Sequence, residues 1–291
     1  MAAPTAPYLA RVRAAYPELA ISSARVVETE SQFNDVLVVN EEIVLRFPRN
    51  KVAASALTRE VAVLRGLQGR LPLPVSNPTL TGYDAATGAI DWMSYALLPG
   101  EPLWSEELDA LDKADRRQIA LQLAGFLHAF HTLPPTEVAP ELHARDEGQF
   151  WAGLFAAFRA EVFSFMRPAA RGEVDALGDA ILAELERTTP TPVLIHGDFG
   201  GGNILYDPAT LRLTGVIDFG GVAVGNPAVD IAALSCYGEP FLAIGAPAYP
   251  GIAMLLPRAR RYRATFALQQ ALWALRDGDE AAFEDGISVY R

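Results

Sequence analysis

Three residues in two neighbouring stretches could together move a phosphoryl group. HGDFGGGNIL, residues 196–205, sets Asp198 five residues ahead of Asn203, and GVIDFGG, residues 215–221, adds Asp218. Phosphoryl transfer passes through a loose transition state, so a protein contributes mostly positioning and neutralisation of charge on phosphate oxygens. One carboxylate must orient the attacking hydroxyl and receive its proton, and Asp198 is placed for that. A hard cation such as Mg²⁺ needs oxygen ligands that leave room for phosphate and water, which Asn203 and Asp218 can provide. The run Gly200-Gly201-Gly202 lacks the Lys-Ser/Thr that completes a P-loop, so it reads as backbone freedom within the loop.

The rest of the chain must supply the elements that hold these groups. With 291 residues and 51% hydrophobic content it can bury at least one large core and is globular. A formal charge of −11 disfavours nucleic acid and attracts cationic small molecules. Cys236 is the single cysteine, which excludes an internal disulfide and implies a reducing compartment. The sequence offers neither a signal-peptide core nor ~18 consecutive apolar residues, so a cytoplasmic protein without a membrane span is expected. Residues 5–16 read as a short helix. β-Branched runs at 25–30, 35–39 and 43–47 predict an antiparallel meander. Residues 53–67 predict a helix whose apolar stripe, Leu57, Val61 and Leu64, leaves Glu60 beside it. Strands are expected at 79–83 and 90–98. From Ser105 onward the pattern turns helical, with helices expected at 114–131, 149–166, 174–186, from about 227, at 258–276 and at 280–290. Strands at 193–195 and 211–217 flank the central motif, and 238–257 reads as irregular. The predicted class is α+β: residues 1–98 form a small β-rich lobe, 99–104 a linker, and 105–291 a larger, mostly helical lobe.

The spacing of His196, Asp198 and Asn203, followed by Asp218-Phe219-Gly220, matches the kinase pattern H-R-D-x-x-x-x-N with D-F-G. Together with GNPAVDIA at 225–232, IVLRFPRN…LTREVAVL, the LPLP segment and the ending ALWALRDGDEAAFEDG, it resembles the aminoglycoside phosphotransferase family of antibiotic kinases over nearly the whole chain. The ending is also similar to macrolide phosphotransferases. The resemblance implies a bilobal protein-kinase-like fold, with an N-terminal antiparallel sheet and one main helix. It also implies ATP or GTP held between the lobes and phosphate transfer to an antibiotic hydroxyl. Asp198 would be the catalytic aspartate, Asn203 and Asp218 the Mg²⁺ ligands, and His196 a residue shaping the catalytic loop. Glu60 would pair with a basic residue on the third strand. That residue is Arg46 where the family usually has lysine, in a chain whose only lysines are Lys51 and Lys113. A guanidinium can bridge a carboxylate and phosphate oxygens bidentately. The loop at 30–35, ESQFND, lacks glycines, so Ser31 or the backbone would have to meet the phosphates. The linker at Tyr95, Ala96, Leu97 and Leu98 would offer backbone groups to the purine.

Several residues have a plainer reading. His196 reads as structural because a kinase-type mechanism needs no second base, and Asp230 as an anchor of the catalytic loop. His128 and His131 read as a satisfied, half-buried pair rather than metal ligands. For the acceptor, acidic residues in the last two helices, Asp277 and Glu280 among them, suit a polyamine-like aminoglycoside. Tyr237 and the apolar residues after the metal motif, with Glu239 the one acid there, suit a macrolide. The aminoglycoside is ranked first, with a small-metabolite kinase or a catalytically retired relative as further alternatives. The expected partners are small molecules only, and the expected assembly is a monomer.

Overall fold

The structure is a computed structural model that describes residues 5–27, 33–188 and 190–291. After helix α1 (Thr5–Ala15), the N-terminal lobe is an antiparallel sheet of five strands in the order β1-β2-β3-β5-β4. Its strands are β1 (Ala24–Val27), β2 (Asn34–Val39), β3 (Ile43–Pro48), β4 (Leu80–Tyr83) and β5 (Ile90–Ala96), with helix α2 (Lys51–Leu67) between β3 and β4. Side chains alternate across the sheet, as the period of two requires. Leu37, Val39, Leu45, Phe47 and Trp92 pack toward α1 with Leu9 and Val12. Val38, Val44, Met93 and Tyr95 pack toward α2 with Leu57 and Val61. Arg46, two residues on from Val44, falls on the α2 face. Helix α2 starts cleanly because Asn50 accepts from the Ala53 amide at 2.9 Å.

The larger lobe opens with β6 (Glu101–Pro102), α3 (Ser105–Ala110), α4 (Lys113–Thr132), α5 (Pro135–Val138), α6 (Glu147–Ala157) and α7 (Pro168–Arg187). It continues with β7 (Val193–Ile195), β8 (Ile204–Asp207), β9 (Arg212–Val216) and β10 (Ala223–Gly225). It ends in α8 (Ala228–Leu234), α9 (Glu239–Gly245), α10 (Ile252–Arg263), α11 (Phe266–Asp277) and α12 (Glu280–Ile287). The α+β class stands, and several boundaries move. The helix expected at 149–166 is α6 followed by one π-turn and a 3₁₀ turn, Phe158–Val162 and Phe163–Phe165. The strand expected at 90–98 ends at Ala96. The stretch read as one helix, 258–276, is two, because the chain breaks at Ala264 and Thr265, where fully buried Thr265 Oγ1 donates to the Tyr262 carbonyl at 2.6 Å. Residues 238–257 are mostly helical, and Pro257 is accommodated inside α10. Strands β6, β8 and β10 are too short to leave a periodic signal. Among the described residues no single helix is long and apolar enough to cross a membrane.

Candidate active site

Strand β7 delivers the chain to His196, and β8, paired with β9, carries it away from Asn203. The loop between them turns through Gly197 at φ +86°, where a Cβ would lie 2.3 Å from the Gly221 carbonyl oxygen, so only glycine fits. Asp230, fully buried on α8, accepts the His196 amide at 2.7 Å and the Gly197 amide at 2.8 Å. It is also bonded to His131 Nε2 on α4 at 3.0 Å. The other ring nitrogen of His131, Nδ1, lies 2.8 Å from the Tyr249 hydroxyl, so both ring nitrogens are engaged. His131 thus belongs to the loop's anchor, while His128 leans on the Tyr249 ring at 5.3 Å.

The His196 ring fixes the loop from inside. Its Nδ1 accepts the Asp198 amide at 3.3 Å, which puts the proton on Nε2 for donation to the Ile217 carbonyl at 3.0 Å. Beneath it, Phe126 and Phe130 of α4 meet Phe199 and Phe219, with ring centroids 5.6 and 5.8 Å apart. Phe199 and Phe219 are both fully buried, so each motif is pinned by the aromatic side chain next to its aspartate. Asp198 itself is exposed. Asn203 Nδ2 donates to both the Asp198 carbonyl and Oδ2 at 2.9 Å, while Asn203 Oδ1 makes no hydrogen bond among the described residues. The Ile217 amide donates to the Asn203 carbonyl at 3.0 Å, which brings Asn203 beside the strand exit at Asp218.

Asp218 adopts φ +58°, a left-handed conformation that aspartate tolerates better than most residues. Arg46 bridges two acids there, with Nη1 2.5 Å from Glu60 Oε1 and Nη2 3.1 Å from Asp218 Oδ1. Burial alone would lower the Arg46 pKa, and the charges of Glu60 and Asp218 reverse that and hold it above its ordinary value. Burial pushes Glu60 up to about 7, against the pull of Arg46 and with the help of Asp218. Asp218 is surrounded by protein, which raises its pKa, yet the Arg46 charge and the Gly220 amide outweigh this and keep it below the usual range. Its side chain remains 42% exposed, open to a ligand. Tyr95 contributes more than backbone, because its buried phenol lies beside Arg46 and is pushed up to about 12, mainly by burial. The Leu97 amide, expected from the resemblance to be open to a purine, already donates to the Glu42 carbonyl at 2.7 Å. Ser31 lies outside the described residues.

The structure therefore gathers Asp198, His196, Asn203, Asp218, Arg46, Glu60 and Tyr95 into one cluster. The acceptor-side residues are less unified. Tyr237 stands next to the catalytic loop, but its hydroxyl donates to the Leu103 carbonyl at 2.5 Å. Glu239 is taken up by the Arg260 guanidinium, whose Nη2 lies 2.7 Å from Oε2. Asp277 and Glu280 are exposed, and neither lines the 620 Å³ groove of Gln270, Trp273, Asp279 and Asp285 between α11 and α12. A 710 Å³ cavity lined by Arg145, Glu147, Leu182 and Gly225 includes none of the residues selected from sequence. Sequence reading also missed Trp104, the last residue of the expected linker, which lies over Gly202, and Glu107, three residues on and near Tyr237. A tryptophan and two glutamates after a Pro-Gly stop were the available signal.

Asp230 supports a prediction of its own. Burial raises its carboxyl pKa, but the hydrogen bond to His131, with that from the His196 amide added, holds it below the usual range. A depressed folded value means that the unfolded chain takes up the proton more readily. The stabilisation is complete above the unfolded value of about 4 and drains as pH falls through the lower folded value. Urea unfolding of Asp230→Asn between pH 4 and 2 should show a shallower loss of stability than the parent. An unchanged slope would remove Asp230 as an acid-sensitive anchor.

Comparison with known proteins fits this geometry. A family model described as a phosphotransferase enzyme family matches residues 25–281. Viomycin phosphotransferase of Streptomyces vinaceus is 34% identical over 277 residues, 90% of this chain and 91% of its own. The GDP and kanamycin complex of APH(2")-IIIa superposes with a TM-score of 0.88 at 23% identity, over 98% of this chain and 97% of the other. A macrolide 2'-phosphotransferase type I superposes with a TM-score of 0.72 at 20% identity, over 99% and 98%. At these identities the two solved structures establish the shared fold.

Proposed function

This chain belongs to the phosphotransferase enzyme family, and from that premise we propose that it moves the γ-phosphoryl group of ATP or GTP to a hydroxyl of an amine-bearing antibiotic. An aminoglycoside or viomycin is the first choice of acceptor, because the relative that matches along 91% of its length is a viomycin phosphotransferase. The observation that carries the reading is the convergence in one cluster of Asp198, Asn203, Asp218 and the Arg46–Glu60 pair.

Asp198 orients the acceptor hydroxyl, and its carboxylate takes the proton as the oxygen attacks phosphorus and the bond to the nucleoside diphosphate breaks. Asn203, by donating from Nδ2 to Asp198, keeps that carboxylate aimed. Arg46, with Glu60 fixing one end of its guanidinium, presents the other end to phosphate oxygens. The Asp218 carboxylate and the unengaged Asn203 Oδ1 form an all-oxygen donor set that fits Mg²⁺, and Asp218 already attracts a cation in Arg46. When bound, Mg²⁺ would offset charge on the transferring phosphate. The anionic balance of 24 basic against 35 acidic residues draws a cationic acceptor toward the cleft.

The test is a mass-spectrometric screen of kanamycin, gentamicin, streptomycin, viomycin and a macrolide with each nucleotide and Mg²⁺. A +phosphate product is expected on at least one amine-rich compound. Product on the macrolide alone would reverse the acceptor ranking, and no product with any compound would sink the proposal.

A further inference from the structure

We infer that Trp104 and Glu107 form the cation-selective wall of the acceptor site, with the Trp104 indole face and the Glu107 carboxylate together recognising an alkylammonium group. The inference rests on the proposed function and narrows its acceptor class. Trp104 is 52% exposed, although its ring is among the most apolar surfaces the chain could bury. The ring lies over the catalytic loop, so close that a Cβ on Gly202 would meet it at 2.9 Å. Gly202 directly precedes Asn203 and stands four residues from Asp198, so the open indole borders the space where an acceptor hydroxyl must arrive.

The backbone behind Trp104 is held rigidly. The Leu103 carbonyl accepts the Tyr237 hydroxyl at 2.5 Å and would sit 2.5 Å from a Cβ on Gly201, so α3, the Tyr237 turn and the catalytic loop lock together. Glu107 lies one turn along α3 from Trp104, close enough to Tyr237 and Tyr206 for its charge to add to the burial that raises both phenols. Its Oε2 is covered and has no hydrogen-bond partner among the described residues. Among the described residues no arginine or lysine forms an ion pair with this carboxylate, whereas Glu239 and Glu161 are both held by arginines. A half-open indole one helical turn from a carboxylate with an unmet acceptor is the combination that binds a cation through its π face and a charge-assisted hydrogen bond.

Direct binding of kanamycin, per-N-acetylated kanamycin and viomycin, measured by calorimetry, tests this independently of turnover. Trp104→Ala should weaken kanamycin and viomycin about tenfold, and Trp104→Phe should restore most of that, as expected for a cation over an aromatic face. Glu107→Gln should weaken both and flatten the salt dependence of their binding. The N-acetylated compound, having lost its charges, should bind poorly to the parent and be indifferent to all three substitutions. Thermal unfolding of each variant checks that the fold is kept. The inference is overturned if neither amine-bearing compound binds the parent. It is equally overturned if Trp104→Ala binds them as the parent does, or if neutral and charged kanamycin lose affinity in parallel. Binding that depends on Trp104 without any phosphate transfer would instead sink the proposed function and leave this site standing.

Discussion

Asp198→Ala is expected to lower kcat by about a thousandfold while nucleotide affinity stays within a few-fold of the parent. The magnitude follows from the loss of a positioned proton acceptor, which contributes roughly 10²–10⁴-fold in such reactions. The separation of effects follows from the geometry. Asp198 is exposed and contacts Asn203, His196 through its amide, and the space for the acceptor, whereas the Arg46, Glu60 and Asp218 cluster is assembled without it. The check is steady-state kinetics on whichever acceptor is turned over, alongside calorimetric titration with the nucleotide. Retention of more than about a tenth of the parent rate would remove Asp198 from its assigned role. Asp198→Asn is the companion variant: it keeps a hydrogen bond to the acceptor but cannot take its proton, and it should be nearly as slow.

The second large effect concerns Arg46 and separates stability from function. Arg46 and Glu60 are 4% and 1% exposed, and each is the other's buried counter-charge. Arg46→Met leaves Glu60 uncompensated and should destabilise the protein by about 3–5 kcal/mol. Arg46→Met/Glu60→Leu replaces the pair with apolar side chains and should recover most of that loss, because a buried ion pair offsets little more than its own desolvation. Activity should not return. The guanidinium end that faces Asp218 and the phosphates is gone in both variants, and kcat/KM should fall about 10- to 100-fold in each. Urea unfolding and kinetics on the two variants decide this, and a double variant that is active would mean that Arg46 has only a structural part.

The same pair predicts a pH signature. Arg46 is the chief influence holding Glu60 down, so its removal raises the Glu60 value further above the parent's value of about 7. A group whose folded pKa is raised above its unfolded value stabilises the protein below the unfolded value and loses that contribution as pH rises through the folded one. Arg46→Met should therefore gain stability relative to the parent as pH is lowered from about 8 to 5. A constant difference across that window would show that Glu60 stays charged without its partner.

Much of the catalytic half was legible before any coordinates. The aspartate and asparagine five apart, and the second aspartate at a strand exit, are local features set by chain spacing. The resemblance pointed to Arg46 and Glu60, and local periodicity is consistent with both. A period of two along β3 puts Arg46 on the face of Val44, and a helical period along α2 leaves Glu60 next to Leu57, Val61 and Leu64. Neither period states that the two faces meet, or that the meeting point also holds Asp218, 172 residues further along the chain.

That step belongs to tertiary structure, as does everything on the acceptor side. Tyr237 was visible as an aromatic residue near the motif, but its hydroxyl is committed to a carbonyl 134 residues away. Glu239 was visible as an isolated acid, and only the fold brings Arg260, 21 residues further along, to neutralise it. Trp104 carried no motif, and it becomes a wall of the cleft because Gly202 leaves room for its ring. The sequence alone determined which chemistry the chain can perform, since spacing along a loop fixes a catalytic constellation. Which cation or hydroxyl can approach it is decided by side chains that meet across long chain separations, and only the folded structure pairs them.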